Sequence, residues 1–130
     1  MDERKMKLDY LHNINEFGEN IVRFYDFDRA LSIRFRDALK EMLLEKRKEL
    51  NFSDLDFIER MNCNLILRLS EEDEGISSED LKTFYCDLSL KGYEEMLRLV
   101  EPFCHKETKG HQWLYDVDNP TDLLFSPAGT

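Results

Sequence analysis

No CxxC pair, no glycine-rich phosphate loop and no long apolar run occurs in this sequence, and each absence removes a class of function. The five glycines, Gly18, Gly75, Gly92, Gly110 and Gly129, are dispersed singly. The familiar motifs of nucleotide hydrolysis and dinucleotide oxidoreduction therefore have no footing. A bilayer-spanning helix needs about 20 apolar residues, and nothing here approaches that, so no membrane role is expected. The first residues alternate charges with single apolar side chains and lack the apolar centre of a signal peptide, which points to a chain that is not exported. Three cysteines, Cys63, Cys86 and Cys104, leave an odd one over, a usage that suits reduced thiols in a cytoplasmic protein. Cys63 and Cys86 alternate with apolar residues, where a free thiol serves as a small buried hydrophobe.

Basic charge is scarce and unevenly placed. Residues 1–27 carry 4 basic and 6 acidic side chains, residues 28–50 carry 7 and 5, and residues 51–130 carry 7 and 17. A net charge of −10 repels polyanions, so no nucleic-acid partner is expected. Against this, 42% hydrophobic residues and 12% aromatic residues supply enough large side chains for one core, which excludes wholesale disorder. The 130 residues are read as a single α+β domain, with residues 1–20 as a peripheral helical or extended arm.

Periodicity then orders the chain. Ile21-Val22-Arg23-Phe24-Tyr25 has the β-branched and aromatic content of a strand. From Asp28, a natural helix cap, the spacing becomes helical: Leu31, Phe35, Ala38, Leu39, Met42 and Leu43 share a face, and the spacing predicts a helix over residues 29–50. Cys63, Leu65, Leu67 and Leu69 alternate with Asn62, Asn64, Ile66 and Arg68, and Phe84, Cys86, Leu88 and Leu90 alternate with Thr83, Tyr85, Asp87 and Ser89. These two runs are expected to pair as an antiparallel hairpin around a charged loop, Glu71-Glu72-Asp73-Glu74-Gly75. After Lys91-Gly92, Tyr93, Met96, Leu97 and Val100 define a second helix, with Ser89 as its cap and Pro102 near its end. His111, Trp113 and Tyr115 alternate as a fourth strand, and Leu123-Leu124-Phe125 is a short final apolar segment. Met6, Tyr10, Leu11, Ile14 and Phe17 suggest a short outer helix. The expected fold class is α+β, an antiparallel sheet with two helices on one face in a ferredoxin-like βαββαβ order.

Candidate chemistry is sparse. Placing Gly75 at the glycine of an EF-hand puts Ser70 first and Leu81 last, where carboxylates are required, so the acidic loop reads as a solvated turn. Asp26 with Asp28, and Asp116 with Asp118, are Asp-x-Asp pairs at strand ends, better explained by capping and turns than by a hard cation. Cys104, His105 and His111 lack the paired spacing of a structural zinc site. No metal and no cofactor are expected. The residues that do stand out are aromatic: Tyr25, Tyr85, Trp113 and Tyr115, with His105 and His111, are the candidate ligand or partner surface, because a sheet face left open by the helices and rich in Tyr and Trp is an interaction surface. Trp113 is expected in the deep core or at the centre of a dimer contact.

The function expected from this reading is a non-catalytic binding or protein-interaction module, a homodimer burying its open sheet face among its forms. Two alternatives stand beside it. One is a small ferredoxin-like enzyme with a cavity between sheet and helices and Tyr25, Tyr85, His105 or His111 moving protons. The other is an acidic inhibitor masking a basic partner.

Overall fold

The computed structural model describes residues 4–12, 19–108, 110–115 and 121–128. Its chain is α+β, but the strands divide between two mixed sheets of five and four strands. The ferredoxin-like single antiparallel sheet is not what forms. The first departure is at the N-terminus, where Met6–Leu11 is a strand, β1, and not an outer helix. Met6 and Leu8 are fully buried and Tyr10 packs on the same core, so the apolar set follows period two. Met6 and Tyr10 are also four apart, which is why helical spacing fitted the same letters; Ile14 and Phe17 lie outside the described residues. β1 runs antiparallel to β2 (Asn20–Tyr25), with Leu8 opposite Phe24. The apolar C-terminal segment becomes a full strand, β9 (Thr121–Ser126), parallel to β2 with Phe24 opposite Phe125. With β4 (Ile58–Arg60) and β8 (Gln112–Tyr115) at its edges, this sheet has the order β4-β1-β2-β9-β8.

The second sheet corrects the expected hairpin. β5 (Asn64–Leu69) and β7 (Thr83–Leu88) are adjacent but parallel. Between them the chain forms β6 (Gly75–Ser77), which pairs antiparallel with β7 from its far side. A connection of about a dozen residues is long enough for the crossover that parallel pairing demands. Gly75, at φ 88°, supplies the left-handed residue that turns the chain into β6, and Ile76 is buried there. With β3 (Leu50–Asn51), the order is β3-β5-β7-β6.

The long helix also ends early. Asp28 caps α1 (Arg29–Leu39), its carboxylate accepting the Leu31 N–H at 2.9 Å. Residues 40–45 continue as a wider π-helical turn, with Lys46 N–H reaching Glu41 O. Arg47 then takes φ 56°, and Lys48 N–H bonds back to Met42 O at 2.8 Å. No glycine marks this stop. Burial of Leu50 in β3, opposite Leu67, outweighs the intrinsic helix preference of the segment.

The buried side chains form one cluster that draws on both sheets and both helices. Phe35 of α1 sits at its centre: its ring centroid lies 4.9 Å from that of Phe24, 5.0 Å from Phe125 and 5.7 Å from Phe52. Tyr10 of the first sheet meets Phe84 of the second at 4.6 Å. Phe35→Ala should therefore destabilise the chain by about 3–5 kcal/mol, the usual cost of emptying a phenylalanine site in a packed core. Denaturant melts check this, and a loss below about 1 kcal/mol would contradict the burial.

Candidate functional site

A strong amphipathic pattern places α2 (Leu90–Val100), with Tyr93, Met96 and Val100 buried. Ser89 caps it, accepting the Gly92 N–H at 3.1 Å. Tyr93 fixes the helix to the second sheet, its hydroxyl donating toward Arg68 O at 2.7 Å and Cys86 O at 2.6 Å. Burial pushes its ionisation well above the ordinary range. A second tie comes from the acidic loop. Asp73 Oδ1 accepts from both the backbone N–H and the hydroxyl of Ser89, each at 2.8 Å. A Cβ added at Gly92 would stand 2.6 Å from that same oxygen, so glycine is what lets the carboxylate reach the helix start.

Between α2 and β8 lies an open groove of about 820 Å³. Trp113, Leu114, Tyr115 and Leu99 form its apolar lining. Asp73, Glu94, Glu95, Lys91 and Arg98 supply its charges. Arg98 is taken up by Glu95, to which its guanidinium donates two hydrogen bonds. That leaves the carboxylates of Asp73 and Glu94 against one lysine, with Glu71, Glu72 and Glu74 following along the same loop. A bulge shapes the apolar side: Trp113 faces Leu124 and Tyr115 faces Leu123, so Leu114 is the extra residue and is the buried one. Trp113 is half-buried in the groove lining and is not a deep core residue.

Of the six residues expected to make a partner surface, the structure brings Trp113 and Tyr115 together in this groove, with His111 edge-on to Trp113 at 6.1 Å. The other three lie elsewhere. Tyr25, on β2, is covered by the guanidinium of Arg23 at 3.9 Å, and Arg23 in turn holds Asp9 through bonds of 3.0 and 2.8 Å. Tyr85, on β7, is covered by Arg68 at 4.1 Å, which holds Asp87 through bonds of 2.7 and 2.8 Å. His105 is exposed beyond α2, with Nε2 2.9 Å from Glu101, which also binds Arg36 at 2.7 Å. The Arg36 bond holds the Glu101 carboxyl below its ordinary value.

Asp26, Asp28 and the three cysteines have structural explanations. Arg4 and Lys7 bind Asp26 and lower its carboxyl, while Asp28 caps α1. Asp116 and Asp118 lie outside the described residues. Burial raises the thiols of Cys63 and Cys86 to about 12 and that of Cys104 to about 11, which makes each a poor nucleophile. Among the described residues no three His, Cys, Asp or Glu side chains gather to hold a metal ion, and no helix is long and apolar enough to cross a membrane. Glu94 and Arg98 carry no signal in the sequence; Asp73 lies in the acidic loop expected to be a solvated turn, and Gly92 in the Lys91-Gly92 step that opens an amphipathic helix. Compared with known proteins, the chain matches no family model, no curated protein and no solved structure.

All four loop carboxylates belong to exposed residues; Asp73 is tied to Ser89, and Glu74 accepts from the Ser70 hydroxyl at 3.1 Å. Asp73→Ala is expected to cost about 1 kcal/mol, as loss of a helix cap does. Replacing Glu71, Glu72 and Glu74 together by glutamine should change stability by less than about 0.5 kcal/mol. Gly92→Ala should destabilise the native chain and cost measurably less when Asp73 is already alanine. Equal costs in the two backgrounds would show that Asp73 does not press on Gly92.

Proposed function

We propose that this chain is a non-catalytic protein-interaction module whose groove between α2 and β8 receives a basic segment of a partner protein. The observation that carries the reading is an aromatic lining, Trp113 and Tyr115, beside carboxylates, Asp73 and Glu94, on a chain of net charge −10. Half-buried Trp and Tyr are the residues that dominate binding energy when a partner seals them from water. The surrounding negative field steers a cationic partner toward them and repels acidic competitors. Masking a basic site on the partner follows naturally from such binding.

The catalytic alternative has less support. Tyr25, Tyr85, His105 and His111 occupy separate surfaces, none lines the groove, and the two tyrosines are each covered by an arginine. Self-association is addressed by the same test as partner binding. Trp113 is the one tryptophan of the chain, so its emission reports occupancy of the groove.

Tryptophan-free peptides alternating Lys with Ala, and Glu with Ala, provide the measurement. The Lys–Ala peptide should shift Trp113 emission in a saturable, salt-sensitive way, and the Glu–Ala peptide should not. Glu94→Lys should weaken the response by about tenfold without altering the melting temperature. An identical response to both peptides, or none from either, would contradict the reading. Sedimentation showing a dimer that hides the groove would replace it with self-association.

A further inference from the structure

Three arginines of this chain are seated by one device. Arg23 lies over Tyr25 and holds Asp9; Arg68 lies over Tyr85 and holds Asp87. Arg34 lies 4.6 Å over Phe57 and binds Asp56 at 2.9 Å. Every cation–aromatic contact among the described residues is thus an arginine that also holds a carboxylate; no lysine is used this way. The physical reason lies in the guanidinium. Its flat face stacks on a ring while its edge presents a fork of N–H donors to a carboxylate, and it is more weakly hydrated than an ammonium.

The groove contains the same two parts. Trp113 offers the best ring for a cation, and no cation of the described residues lies over it. Glu94 forms no ion pair among the described residues, and Asp73 engages Ser89 through Oδ1, leaving Oδ2 for another donor. Lys91 stands in the same groove, but its compact ammonium does not reproduce the stacked fork. Arg98, the arginine within reach, is already held by Glu95.

We infer that the partner's anchor in this groove is an arginine side chain, stacked on Trp113 with its guanidinium held by Asp73 and Glu94. The inference rests on the reading of the groove as the seat of a basic partner, and it adds a discrimination that net charge alone does not provide. A lysine peptide of equal charge meets the same field but cannot stack and fork at once.

Peptides of equal length alternating Arg with Ala and Lys with Ala separate the two claims. Calorimetry with the full chain should give at least about tenfold tighter binding of the arginine peptide. Trp113→Leu should weaken the arginine peptide more than the lysine peptide, bringing the two affinities to within about twofold of each other. If Trp113→Leu fails to fold, Trp113→Phe should reduce the preference several-fold. Equal binding of the two peptides to the native chain overturns the arginine anchor and leaves the basic groove standing. No binding of either removes both, and so does a second copy of the chain already filling the groove in sedimentation. A preference that persists in the tryptophan variants also overturns the anchor, because its source would lie elsewhere.

Discussion

Everything in this fold is arranged around a phenylalanine cluster that no single sheet can enclose. Phe24 and Phe125 are directly opposite on the parallel pair β2 and β9, and their rings meet Phe35 of α1, Phe52 beyond β3 and Phe103 beyond α2. Most of these pairs meet edge-on or tilted, with Phe35 and Phe52 offset-stacked, so the rings pack as a three-dimensional cluster rather than a layer. That demand for surroundings on several sides accounts for the second sheet. It also accounts for the shortened helix: Leu50 and Phe52 are needed in the core, and the chain leaves α1 through a left-handed Arg47 to deliver them.

The groove follows from this arrangement. α2 is held to the second sheet by Tyr93 and to the acidic loop by Asp73, while β8 belongs to the first sheet. The space between them is therefore bounded by two elements anchored to different sheets. The bulge at Leu114 sends that leucine into the core and leaves Trp113 and Tyr115 half-buried on the groove. The carboxylates come from the helix face opposite its buried stripe and from a loop whose Asp73 is locked in place. The half-buried rings of Trp113 and Tyr115 and the Asp73 carboxylate tied to Ser89 are in place without a partner, and the proposed binding would draw on that pre-organisation.

Much of the secondary structure was legible in the sequence, and the arrangement of the strands was not. Strand alternation at Leu65, Leu67, Phe84 and Cys86 and helical spacing at Leu31, Phe35 and Tyr93 read directly, because one face of each element is buried. Pairing direction left no such trace. β5 and β7 look the same whether parallel or antiparallel, and the three residues of β6 were hidden in a charged connection where Ile76 is the buried apolar residue. At the site, the aromatic members Trp113 and Tyr115 were visible as unusual residues. Their partners were not, since Asp73 sits among three similar acids and only its bonds to Ser89 distinguish it. Tyr25 and Tyr85 were equally conspicuous in sequence, but Arg68 reaches Tyr85 only through the register of β5 and β7, whereas Arg23 covers Tyr25 from two residues earlier on the same strand.

Charge alone would bring a basic partner to many places on an acidic surface, so the place of binding is what distinguishes the groove. Amide hydrogen exchange of the whole chain, with and without a saturating arginine–alanine peptide, reads location residue by residue. Binding in the groove should concentrate added protection in α2, in β8 and in the loop that carries Asp73, with the outward faces of β2 and β7 unchanged. Protection spread evenly over the acidic surface, or centred on the outward faces of the two sheets, would contradict it.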